Sequence, residues 1–375
     1  MPHRSVRYVM PVMHAMLAII VAVMLCLSLL PAIPVAQAGQ VQKAAAEPYK
    51  PPRLADGHPD LQGMYDLATL TPLQRPAGAN AVLTREEAAK LEENVARRNA
   101  RASLPTQGER QAPPKGGDGS TGAAGGVGGY NTFWLDAGSE YTIVNGQIRT
   151  SIIVDPPDGR IPPLTAAART RNAARILRTT SDATESRDVG LEPGGAYDDP
   201  ERRPLGERCL LGFGSTSGPP VLPTYFYNNL HQIVQTPDHV MILSEMVHDA
   251  RIIRMNAQHL PKNIRKWMGD SIGRWEGDTL VVETTNFTDK TRYQGSGEDL
   301  KVTERFTRVG PNALLYRFTI EDPSTWARSW TGEYTWPTTN DLLFEYACHE
   351  SNYALENILR GARRREADAA EAKKP

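Results

Sequence analysis

The sequence predicts a mainly β fold, an antiparallel meander that closes into a barrel or stays a curved sheet, with a few peripheral helices in the N-terminal half. Three observations carry this. From Tyr225 to Glu350 short apolar runs follow one another: HQIVQT, HVMILSEM, ARIIRM, GRWEGDTLVVETTNF, LKVTERFTRV, ALLYRFTIED, ARSWTGEYTW and DLLFEYACHE. Turn residues separate them, among them Pro237-Asp238, Gly277-Asp278, Gly310-Pro311-Asn312, Asp322-Pro323 and Asn340-Asp341. The runs also show the period of two expected when successive side chains point to opposite faces. An up-and-down meander closes most simply as a lipocalin-like (calycin-like) barrel, which is the expected architecture.

The N-terminus reads as an export signal. Arg4 and Arg7 precede the apolar stretch AMLAIIVAVMLCLSLL, and Ala36 and Ala38 occupy the small-residue positions of a cleavage site. Residues 1–38 are therefore expected to be a signal peptide and the protein periplasmic or secreted; an uncleaved anchor is the alternative. Cys26 follows Leu25 rather than a small residue, which argues against lipid attachment there. Residues 39–55 read as a linker, and 56–361 as a single β-rich domain. Within that domain Leu61 to Leu67 is a short strand. Thr84 and Glu87 form a capping box before a polar surface helix. Residues 103–129 and 181–204 read as flexible loops from their Gly, Pro and acidic content. Asn145-Gly146 predicts a hairpin within YTIVNGQIRTSIIVDPPDG, and Thr165 caps a helix from Ala166. LPKNIRKWM is expected to be a short helical piece. Residues 362–375 form a mixed-charge tail, the frayed end of a helix.

Removal of the signal leaves Cys209 and Cys348, and an oxidising compartment favours their pairing as a disulfide. Closing so long a loop contributes up to ~5 kcal/mol in the chain-entropy picture. The formal net charge is −1 and the globular part has no basic block, so a nucleic-acid partner is not expected. No second segment is long and apolar enough to span a membrane.

The apolar runs carry ionisable groups where a plain core would not, and burying those is costly unless they are paired or used. Read as one regular strand, HVMILSEMVHDAR places Glu245 on a face with Met241 and Leu243. Arg251 joins that face only if no bulge falls between Met246 and Asp249. A Glu245–Arg ion pair is the structural alternative. Glu304 alternates with Val302 and Phe306, as on a cavity-facing strand, or it pairs across strands with an arginine such as Arg317. The final run ends on Cys348, His349 and Glu350.

A carboxylate among apolar neighbours titrates nearer neutrality and suits a general acid or base. Glu245 is the expected acid/base, His248 or His349 its partner and Arg251 an oxyanion clamp, with Glu304 and Glu350 as further candidates. No organic cofactor is implied. Metal is a lesser option: His231, His239, His248, His259 and His349 are present, but without H-E-x-x-H spacing. GFGSTSG lacks the context of a nucleophilic serine. Trp267, Trp275, Trp326, Trp330 and Trp336, with Tyr316, Tyr334 and Tyr346, either line a pocket for a small apolar or aromatic ligand or pack as core.

The segments GRWEGDTLVVETTNFTDKT, ADGHPDLQG, RTSIIVDPPDGRIPPLT, ERCLLGF, VQTPDHVMILSEMVHDARIIRM, TERFTR and YACHESNY resemble a large group of exported bacterial proteins of unassigned function. The resemblance spans most of the mature chain and implies one architecture without implying a reaction. The expected function is cofactor-independent acid/base chemistry on a small, mostly apolar molecule, as a lyase, isomerase or hydrolase. A non-catalytic binder or carrier and a structural envelope protein are the alternatives.

Overall fold

The computed structural model describes residues 49–102, 135–179, 195–212, 217–224, 227–291, 293–350 and 352–372. The expected signal peptide, most of the linker, the loop 103–129 and the greater part of the loop 181–204 lie outside these residues.

The fold is mainly β and built around a closed barrel of nine strands. Its wall consists of β1 (Gly63–Asp66), β6 (Leu230–Gln235), β7 (His239–Ser244), β8 (Ala250–Met255), β9 (Asp270–Glu276), β10 (Thr279–Thr285), β11 (Lys301–Gly310), β12 (Ala313–Glu321) and β13 (Trp330–Thr339). From β6 to β13 neighbours follow chain order, and β1 closes the ring by pairing with both β6 and β13. The expectation of a wholly antiparallel sheet is corrected at one place. β8 and β9 pair in parallel, Arg254 opposite Ile272 and Met255 opposite Gly273. Parity requires this, because an odd number of strands around a closed ring cannot alternate in direction throughout. The crossover between β8 and β9 runs through LPKNIRKWM as turns bridged to β10's end (Lys266 to Phe287), so the helical piece expected there is absent.

Three short strands, β2 (Val82–Leu83), β3 (Ile143–Val144) and β4 (Gln147–Arg149), form a separate small sheet, and β5 (Ile153–Asp155) adds to the outer flank of β13. Asn145 and Gly146, both with positive φ, make the predicted β3–β4 turn. Among the described residues there are three α-helices, α1 (Arg85–Ala102), α2 (Ala166–Thr179) and α3 (Tyr353–Ala372). The capping box forms as expected: the Thr84 amide donates to Glu87 at 2.8 Å and the Glu87 amide to Thr84 Oγ1 at 3.2 Å. Thr165 caps α2 through the Ala168 amide at 3.1 Å. The charged tail is helical to Ala372, and Arg363 ties α3 to the carbonyls of Tyr197 and Asp198.

Alternation sets the core. On β12 Leu314, Tyr316, Phe318 and Ile320 are buried, and on β11 Val302, Glu304 and Phe306. They meet Trp330, Tyr334 and Trp336 of β13, and the rings of Tyr316 and Trp336 lie 4.7 Å apart. Each large apolar side chain so buried contributes about 1.5–3 kcal/mol. Gly332 makes this packing possible, since a Cβ there would lie 2.4 Å from the Phe318 ring.

Two further expectations are revised. HVMILSEMVHDAR is not one strand: β7 stops at Ser244, a one-turn 3-10 segment (Met246–His248) follows, and β8 returns antiparallel. Val247 and His248 take positive φ (65° and 49°), so the reversal replaces the anticipated bulge. DLLFEYACHE forms no strand. The reason is topological, because β13 already pairs with β12, β5 and β1 and offers no free edge.

Candidate functional site

The barrel interior holds a buried polar chain. Arg251 donates to Glu304 through both terminal nitrogens, at 2.5 and 2.9 Å, and the Tyr316 hydroxyl donates to the same carboxylate at 2.8 Å. Glu304 and Tyr316 are fully buried. Burial disfavours the charge on Arg251, but the Glu304 carboxylate outweighs it and holds the guanidinium above its ordinary value. Burial, reinforced by Glu304, raises the Tyr316 phenol well above its usual range.

A segment of chain seals this interior. Every residue from Ser217 to Thr224 is buried. The Val221 amide donates to Tyr316 Oη at 2.9 Å, and Tyr334 Oη donates to the Val221 carbonyl at 3.0 Å. His231 lies on the wall nearby, its ring 5.9 Å from that of Trp336. Its Nδ1 faces the Asn229 carbonyl at 3.1 Å; a carbonyl only accepts, so Nδ1 carries the proton. Burial lowers this imidazole to about 4, with the charge of Arg251 acting in the same direction, so the ring is neutral at pH 7. Trp326, Trp330, Trp336, Tyr316 and Tyr334 pack as core around these groups rather than lining an open pocket.

The structure therefore brings together two of the sequence-predicted residues, Arg251 and Glu304, and joins them to each other. Arg251 does not reach Glu245, and Arg317 pairs with Glu333 at 2.8 Å instead of Glu304. His248, His349 and Glu350 are exposed. The His248 ring is turned out by the left-handed turn after β7, and the other two follow Cys348 in irregular chain. Cys209 and Cys348 form the predicted disulfide, with Cα atoms 5.7 Å apart. Among the described residues no group of three or more His, Cys, Asp or Glu is arranged to hold a metal.

Glu245 occupies a different place. Only 5% exposed, it accepts the Phe344 amide at 2.9 Å and the Leu230 amide at 3.3 Å. It thereby pins the irregular chain after β13 to the start of β6. Around it opens a cleft of about 960 Å³, where β1 ends, β6 begins, β7 ends and the chain leaves β13. Five carboxylates line it, Asp66, Asp136, Glu245, Asp341 and Glu345, with Asn228, Asn229 and Asn340. Its apolar wall is Tyr227, Leu230, Leu342 and Phe344. Tyr346 stacks on Tyr227 at 6.2 Å, and Leu342 and Phe344 are 72% and 70% exposed.

Among the described residues no lysine or arginine lines the cleft, and none forms an ion pair with these five carboxylates. Burial raises the Asp66 carboxyl above its ordinary value. The Ala68 amide opposes this, and the charges of Asp136, Asp341 and Glu245 push it up further. Sequence reading isolated Glu245 but missed Asp66, Asp136 and Asp341. Each sits at a strand end or in a connection, and no local pattern unites positions so far apart in the chain.

No protein-family model, curated protein or solved structure matches this chain. The class defined by fold and site is a nine-stranded mixed β-barrel with a sealed interior and an acidic cleft at its edge.

Proposed function

We propose that the protein is an exported carrier that binds a small organic cation in the acidic cleft. The observation that carries this reading is the uncompensated charge: five carboxylates face one concavity without a cationic side chain among its described lining residues. Like charges so placed repel one another, and a positively charged guest relieves that repulsion. The cleft has the size typical of small-molecule sites, and its volume exceeds what an inorganic ion needs. Tyr227, Leu342 and Phe344 suit the apolar body of such a guest, and an aromatic face favours an alkylated ammonium head. Export is supported by the signal-like residues 1–38 and the Cys209–Cys348 disulfide. Membership of the exported bacterial group rests on the motif segments alone.

A second reading, acid/base catalysis in the same cleft, is favoured by the raised Asp66 carboxyl, which keeps a proton closer to neutrality than an ordinary aspartate does. In that reading Asp66 replaces Glu245 as the proton-transfer group, because Glu245 is committed to two backbone amides. Capture of ligands from growth extracts by wild type and by Asp66→Asn tests both. A cation recovered chemically unchanged from wild type and lost from the variant supports the carrier. A product formed by wild type while Asp66→Asn retains the substrate supports catalysis. Recovery of neutral or anionic compounds only would refute the cleft assignment.

A further inference from the structure

A second concavity, sharing no residue with the acidic cleft, has the opposite electrostatic character. It encloses about 220 Å³ between the small sheet and β5, lined by Arg75, Arg149, Ser151 and the apolar groups Ala81, Ile153, Val154 and Pro157. The Nε–H groups of both Arg75 and Arg149 are buried and have no hydrogen-bond partner among the described residues. Both are charged groups whose remaining donors the protein leaves unmatched, and native structures pair such donors with protein, water or a ligand.

The charges around the cavity do not balance. Arg149 and Arg317 share one carboxylate, Glu333, at 3.3 and 2.8 Å. Arg75 forms no ion pair among the described residues, and its one side-chain bond runs from Nη1 to the Pro157 carbonyl at 2.8 Å. That leaves its Nη2, a charged donor with no partner among the described residues, available to a ligand carboxylate. Asp155, the acid on β5, is engaged by Arg328 through both carboxylate oxygens. The Arg75 guanidinium is held in place. Its amide donates to Gly159, and a Cβ at Gly159 (φ +71°) would lie 3.0 Å from Arg75 Cζ and 2.6 Å from Ser151 Oγ. The cis-proline turn Asp155 to Gly159 thus packs directly against the guanidinium.

We propose that this cavity is a binding site for a small organic carboxylate, gripped by Arg75 and Arg149. The two guanidiniums supply the charge, and Arg75 adds an Nη2 donor without a protein partner among the described residues. The apolar walls select a ligand with a short carbon body over a bare inorganic anion. The volume equals that of about seven waters, enough for a short acid and too small for a long-chain one.

Calorimetric titration of the full chain with sodium propionate, sodium benzoate and sodium phosphate, at constant ionic strength in chloride, tests this. Saturable binding of propionate or benzoate, tighter than phosphate, is expected. Arg75→Gln should weaken it about tenfold, the effect of losing a charge-assisted bond. Ala81→Phe, a change at an exposed residue of the lining, should block binding with both arginines intact. Arg274→Gln, on β9 and outside the lining, should bind as wild type does. Absence of saturable carboxylate binding, phosphate binding tighter than either carboxylate, or unchanged affinity in Arg75→Gln or in Ala81→Phe would each overturn the proposal.

Discussion

Replacing Arg251 by methionine removes the cation from the barrel interior and leaves Glu304, fully buried, with Tyr316 Oη as its remaining donor. Two charge-assisted bonds disappear at once, those at 2.5 and 2.9 Å. A carboxylate stranded in this way destabilises by about 3–5 kcal/mol, far above the ~0–1 kcal/mol of an exposed pair. That is a large share of the 5–15 kcal/mol typical of a folded domain. Urea unfolding at pH 7 with the disulfide intact measures it as a fall in midpoint. The double variant Arg251→Met/Glu304→Gln removes the stranded charge while keeping an acceptor for Tyr316. It should therefore be more stable than the single variant by about 2 kcal/mol, the size of the uncompensated-charge penalty. A loss below about 1 kcal/mol for Arg251→Met, or a double variant no more stable than the single, would show that the interior is hydrated and the pair solvent-screened.

Other consequences are equally direct. Cys348→Ser opens a loop with a sequence separation of 139, and denaturant unfolding should show a loss of up to about 5 kcal/mol that reducing agent reproduces in wild type. Gly332→Ala forces a methyl into the Phe318 ring and should destabilise by about 1–3 kcal/mol, read as a lowered melting temperature. His231 is neutral in the fold with its pKa lowered to about 4, whereas the unfolded ring titrates near 6.5. Between these values only the unfolded state binds the proton, so stability falls as pH drops from about 6.5 to about 4, by roughly 3 kcal/mol from this group. Burial raises Asp249 to about 6, so the folded state holds its proton more tightly and stability falls in the opposite sense, as pH rises from about 4 to 6. Comparing the pH profiles of wild type, His231→Leu and Asp249→Asn separates the two slopes, and a His231→Leu profile parallel to that of wild type would contradict the assignment.

Much of the barrel was legible because its signals are local. Turn pairs such as Gly277-Asp278 and the alternation of Leu314, Tyr316, Phe318 and Ile320 lie within single hairpins. Closure was not legible, because it rests on the four residues of β1, whose partners on β6 and β13 lie far along the chain. The parallel β8–β9 pair follows from closure by parity and has no signature of its own. DLLFEYACHE carries a sound strand pattern and still forms none, since pattern states a capacity and the closed sheet provides no edge for it. The site divides in the same way. Arg251 and Glu304 each stood out as charges in apolar runs, but their pairing across 53 residues of sequence is a property of register around the barrel. Glu245 was visible as an anomaly, and its role as an anchor for the Phe344 amide depends on chain that the sequence pattern placed in a strand.

The central claim is that the acidic cleft binds a cation, and calorimetric titration of the full chain with 1,5-diaminopentane at low salt tests it most directly. Saturable binding that weakens as salt is raised and falls in Asp66→Asn and Asp341→Asn is the predicted result, since each substitution removes one of the five cleft carboxylates. No heat of binding, or binding unaltered by either substitution, would contradict it.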